Sequence, residues 1–169
     1  MSADPEKEKL ELLRGLTDQA FEDIKTEMKR LKLDRGKAAY DRPLDLFEAA
    51  YLAIRYPSSA QGGASSALLA LRGCIEGSIE ELVRRCPAQQ KGEKRRDRVL
   101  SIGLHCGKTG LALAHFDSLA AEDESVNQEL AAKGSRSALE RHELVKQFLR
   151  GAQFLRALLA SVDEALLKP

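Results

Sequence analysis

Tryptophan is absent from this chain, and all aromatics together make up 5% of it. A core must therefore be assembled mostly from Leu, Ala, Ile and Val. No CxxC pair occurs, and the cysteines are three, Cys74, Cys86 and Cys106. That excludes the two close ligand pairs of a structural zinc site and a fully paired disulfide framework. An odd count fits reduced thiols, and a cytoplasmic location is the expectation. No apolar run reaches about 18 residues, so no membrane span is expected. The opening MSADPEKEKLELL lacks the basic start and long apolar region of a secretion signal. An excess of one charge is missing too: Lys plus Arg number 27 and Asp plus Glu 26, a net charge of +1. No global field draws the chain toward nucleic acid or a lipid surface, so such a role needs a local patch. Sustained period-2 alternation and internal repeats are also absent.

What is present is helical periodicity. In ASSALLALRGCIEGSIEELVRRC, from Ala64 to Cys86, the residues Leu68, Leu71, Ile75, Ile79, Leu82 and Cys86 recur at steps of three and four. At 3.6 residues per turn these positions share one helix face. Nearly opposite runs a stripe of small residues, Ser66, Ala70, Gly73 and Gly77, which lets a second backbone approach. This helix is expected to be central, with partners on both sides. Asp4-Pro5-Glu6 supplies a cap oxygen, a proline at the first turn and an acid at the positive dipole end. A helix from there to about Leu33 would turn Leu10, Leu13, Leu16, Ala20, Ile24, Met28 and Leu31 inward. Pro43 opens a shorter helix through Arg55, with Phe47, Ala50 and Ile54 buried. PSSAQGGASS, Pro57 to Ser66, reads as a loop.

Further helices are expected from about Glu93 to Cys106, from Leu111 to Ala121 and from Glu122 to Lys133. Ser137 with Glu140 forms a capping-box pattern. The stripe Val145, Phe148, Ala152, Leu155, Leu159, Val162 and Leu166 then marks a long closing helix. The 169 residues fit one domain: an N-terminal helix and connector over 1–42 and a bundle core over 43–169. The expected fold is all-α, a single-domain bundle of about five to seven helices, the N-terminal, central and C-terminal ones long.

Gly107-Lys108-Thr109 is not a phosphate loop, since the Walker pattern requires glycine where Ile102 stands. His105, Cys106 and Cys86 lack zinc-ligand spacing, and no metal or other cofactor is expected. The run Lys91, Lys94, Arg95, Arg96 and Arg98 is the strongest local charge signal and a candidate phosphate-contacting surface for nucleic acid. The acidic stretch Asp117, Glu122, Asp123, Glu124 and Glu129 offers the alternative, pairing across the bundle. No Ser-His-Asp ordering is legible.

ALRGCIEGSIEEL, then RDRVLSIGLHCGKTGL, then VNQELAAKGS and the closing helix resemble HEPN-type helical bundles. The resemblance spans roughly Ala64 to Leu167 and rests on helix order and on Arg72 and Glu76. It implies a small all-α domain of the sort found in prokaryotic defence and toxin systems, some members of which are metal-independent RNases. Active members carry an Arg, four to six residues, then a His, at a dimer interface. Arg98 with His105 and Arg136 with His142 meet that spacing. VNQELAAKGS, where the resemblance would place the motif, has neither residue. The expectation is a non-catalytic binding or assembly subunit with a protein partner or a second copy of itself. The alternatives are an RNase using His105 and Arg98, and a nucleic-acid module using the 91–98 run.

Overall fold

Asp4 opens the first helix as its chemistry dictates: its Oδ1 accepts from the Glu6 amide at 3.1 Å, and Pro5 takes the position where no amide is needed. The computed structural model describes residues 4–35, 42–56, 63–87, 94–134 and 140–169. Among them lie six α-helices: α1 (Pro5–Arg30), α2 (Pro43–Arg55), α3 (Gly63–Arg85), α4 (Arg95–Cys106), α5 (Leu113–Gly134) and α6 (Arg141–Ala160). A 3-10 turn, Glu164–Leu166, follows, and among the described residues there is no strand, only an isolated bridge between Gly107 and Val162. The chain is an all-α bundle. No described helix is long and apolar enough to cross a membrane.

Helix α3 is the hub. Its stripe Leu68, Leu71, Ile75, Ile79, Leu82 and Cys86 is buried throughout. On its small-residue side α2 packs, with a Leu46 methyl 3.5 Å from where a Cβ on Gly73 would lie and Pro43 3.7 Å from the same point on Gly77. Contacts fix the directions. Residues 72 and 76 of α3 face 127 and, through Arg95, 123 of α5, so these two run antiparallel. Arg95 and Arg98 of α4 meet Glu76 and Glu80, so α4 runs parallel to α3. Helices α5 and α6 are antiparallel and joined by polar contacts: Gln147 to Glu129, Lys133 to Glu143, and Arg150 to Glu129 and Ser125. Helix α1 lies along α6, where the Arg30 guanidinium donates to the Leu159 and Val162 carbonyls at 2.8 and 3.0 Å and so caps the end of α6.

Several sequence expectations shift in register. The pair of helices expected over 111–133 is one helix, α5, because Phe116, Leu119, Asp123, Val126 and Leu130 keep three- and four-residue spacing through Glu122. Helix α3 begins inside the expected loop, at Gly63. Helix α6 starts at Arg141 with Glu140 as its N-cap residue, while Ser137 and Arg136 lie outside the described residues. Leu16 is exposed and Thr17 buried in its place, with the Thr17 hydroxyl satisfied by the Leu13 carbonyl at 2.7 Å. That rotation follows from α2: Phe21 stacks on Tyr51 with centroids 4.1 Å apart, and Asp18 takes both the Tyr51 hydroxyl (2.6 Å) and the Arg55 Nε (3.2 Å).

Burial, with the Asp18 hydrogen bond and charge, pushes the Tyr51 phenol up to about 12 from its ordinary 10. The folded pKa is raised, so this contact's stability is present below pH 10 and is lost as pH rises toward 12. Absorbance titration of the wild type against Tyr51→Phe is expected to show one late-ionising phenol that the variant lacks. A second expectation concerns glycine. A Cβ on Gly103 would meet the Phe116 ring at 2.1 Å, whereas one on Gly15 meets nothing within 4 Å. Denaturant melts should show Gly103→Ala destabilised by about 2–3 kcal/mol and Gly15→Ala stabilised by up to about 1 kcal/mol.

Candidate functional site: the groove between the third and fourth helices

Of the basic run, Lys91 lies outside the described residues and Lys94 is the exposed N-cap residue of α4. The three arginines that follow each meet a carboxylate. Arg95 grips Asp123 with both edges of its fork, Nε to Oδ2 at 2.6 Å and Nη2 to Oδ1 at 3.1 Å, and its Nη1 lies 3.8 Å from Glu76. Arg96 donates to Asp117 at 2.6 Å, and Arg98 lies 3.7 Å from Glu80. The first of these is unlike the others. Asp123 has no exposed surface, and its place on the buried stripe of α5 puts a carboxylate among apolar neighbours. Removing such a charge from water is costly, and only a close, bidentate cation offsets it.

The groove these residues form has two lobes that share Arg98. One, of about 180 Å³, is lined by Glu76, Ile79, Arg95 and Arg98, and the next, of about 250 Å³, by Glu80, Val83, Arg84 and Arg98. Three arginines stand against two glutamates, while Arg84 is also paired to Glu81 at 2.6 Å. The groove is therefore close to charge-balanced and offers an anion little net attraction.

His105 is half-buried on α4, seven residues beyond Arg98 and on the same face, about 10 Å along the axis. Arg72 and Glu76, the residues that carried the family resemblance, hold α5 and α4 to the hub: Arg72 Nε donates to Asn127 at 2.8 Å and Glu76 faces Arg95. His142 sits in the first turn of α6, 3.4 Å from Glu140. The fold brings Cys86 and Cys106 together, their Sγ atoms 2.7 Å apart and buried, at the ends of α3 and α4. Burial pushes the Cys74 thiol up, which keeps it neutral and unreactive. Among the described residues no three His, Cys, Asp or Glu side chains converge on a metal-holding arrangement. Asp123 belongs to the acidic stretch that offers pairing with the basic run; what singles it out within that stretch is positional, a carboxylate at a core step between Leu119 and Val126.

No family model, curated protein or solved structure matches the chain.

Asp123→Leu leaves Arg95, which is 22% exposed, with only the 3.8 Å contact to Glu76 and water. A loss of about 2–3 kcal/mol is expected in urea titration. Adding Arg95→Leu should recover much of it, because two apolar side chains leave no buried unpaired charge and Glu76 is half-exposed. Additive losses would mean that the two groups act separately.

Proposed function

We propose that this chain is a non-catalytic helical assembly subunit, a degenerate relative of HEPN-type bundles, which pairs with a second copy of itself. The observation that carries this reading is the internal use of its reactive-looking groups. Arg98, the best-placed cation for an RNase, faces Glu80, and the neighbouring arginines are held by Asp123 and Asp117. A phosphorane-stabilising arginine has to be available to the developing charge. At the same end of the molecule as His105, large apolar side chains face water: Leu104 is 68% exposed, Leu113 59% and Leu111 40%. All three belong to the segment in which α4 passes into α5, and an exposed apolar patch there would serve as an interaction surface. Exposed Lys108 and Glu164 supply both charge signs around that turn, which suits a two-fold contact in which each copy presents the same patch.

Light scattering across a concentration series should report a dimer that Leu104→Glu with Leu113→Glu converts to monomer, while the helical circular-dichroism signal is kept. The same preparation, incubated with structured and single-stranded RNA in EDTA, should leave both uncut. A monomer at every concentration overturns the assembly reading. Cleavage that disappears in His105→Ala installs the RNase alternative in its place, with His105 as acid–base group and Arg98 as charge stabiliser.

A further inference from the structure

At the end of the bundle where α1 and α3 finish, the charge balance of the α3–α4 groove is reversed. A cavity of about 360 Å³ is lined there by Lys32, Arg35, Glu81, Arg84, Arg85 and Pro169. Arg84 and Glu81 offset one another. Arg85 is 7% exposed, and its two hydrogen bonds go to neutral oxygens, the Leu31 carbonyl at 2.5 Å and the Lys168 carbonyl at 3.0 Å. The end of α1 adds only the partial negative charge of its last carbonyls. No carboxylate pairs with Arg85 among the described residues, although a buried guanidinium normally has one.

Lys32 adds an independent sign. Its φ is +58°, the left-handed region that non-glycine residues rarely adopt. The bonds around it, Leu33 N–H to the Met28 carbonyl (2.8 Å) and Lys32 N–H to the Lys29 carbonyl (3.2 Å), form a Schellman ending. Glycine suits that position best, having no Cβ to strain. A lysine there costs backbone energy, and what it adds is a cationic side chain at the cavity.

We propose that this cavity is a binding site for a phosphate group. Lys32, Arg35 and Arg85 bring three positive charges that no side-chain carboxylate of the cavity offsets, its Glu81 being paired with Arg84, and together they exceed what a single carboxylate ligand would neutralise. A tetrahedral dianion accepts from several donors at once, and the guanidinium fork matches its edges. The volume falls within the range of about 300–1,000 Å³ usual for small-molecule sites, so the phosphate can carry an organic body. The site is separate from the α4–α5 turn, and its test does not depend on the state of assembly.

Calorimetric titration and thermal melts of the full chain with inorganic phosphate, adenosine monophosphate and, at matched ionic strength, sodium chloride decide the question. Phosphate and the nucleotide should raise Tm where chloride does not. Equal affinity for the two identifies free phosphate as the ligand, and tighter nucleotide binding identifies a phosphomonoester. Lys32→Gly should raise the ligand-free Tm by about 2–4 °C through relief of the left-handed strain. The same change should weaken phosphate binding by about tenfold or more. Arg35→Ala, an exposed change, should weaken binding similarly with little effect on Tm. Phosphate shifts no larger than those of chloride, or unaltered binding in both variants, overturn the proposal.

Discussion

A carboxylate with no access to water sets the terms for half of this bundle. Asp123 sits on the buried stripe of α5, and its charge is tolerable only with a cation held against both oxygens. Arg95 satisfies that condition from the first turn of α4, which fixes where α4 begins relative to α5. The same guanidinium lies near Glu76 on α3, so one side chain ties three helices into register. The direction of α4, parallel to α3 rather than folded back against it, follows from this anchor and from the Cys86–Cys106 contact at the far ends. Such a pair adds little net stability over apolar packing, but it penalises any arrangement that leaves either partner alone.

Close approach is the second constraint, and it is met by glycines at helix crossings. Gly151 of α6 admits the Leu71 methyl, 2.7 Å from where a Cβ would be, and Gly103 of α4 admits the Phe116 ring. Gly73 and Gly77 serve α2 less strictly, with neighbours at ordinary contact distance. With few aromatics to fill gaps, the core gains density by bringing backbones together. The four most fully buried large rings, Phe47, Phe116, Phe148 and Phe154, are spread over three helices, and Phe47 stacks on Phe148 with centroids 5.7 Å apart.

Helix existence and the apolar faces were legible because period and caps are local properties: Asp4-Pro5 and Pro43 mark their helix starts, and the α3 stripe is buried to its last residue. The interruption assigned near Glu122 was misleading for an equally local reason. Acidic residues crowd one turn of α5, and composition alone does not tell the buried acid from the solvated ones beside it. Only its step from Leu119 and to Val126 does, and that step acquires meaning once a cation from another helix is known to reach it. The candidate sites share this difficulty. Whether an arginine is spent on a partner is decided by residues far away in sequence: Arg95 by Asp123 and Arg85 by Leu31 and Lys168. The cavity beside Lys32 was equally invisible, since a left-handed lysine leaves no mark on composition or periodicity.

Arginine does a second job here that bears on how the charge is distributed. Arg30 donates to carbonyls at the end of α6, Arg85 to the Leu31 carbonyl at the end of α1, and Arg141 to the Ile54 carbonyl at the end of α2. Each places a cation where a helix dipole is negative, an interaction of about 0.3–1 kcal/mol; Arg30 is also paired with Glu27 at 2.7 Å, whereas Arg85 and Arg141 are oriented by carbonyls alone. Burial and the nearby Arg14 and Arg55 lower the pKa of Arg141, so its cap is made against repulsion from like charges. Capping therefore fixes the helix ends, with Arg85 and Arg141 held there by carbonyls rather than by carboxylates. The arginines of α4 face carboxylates instead, Arg95 a buried one and Arg96 and Arg98 carboxylates at the surface. A net charge of +1 thus conceals a segregation in which the conspicuous basic run is nearly neutral in place, while Arg85 and Arg141 stand at helix ends with no carboxylate paired to them among the described residues.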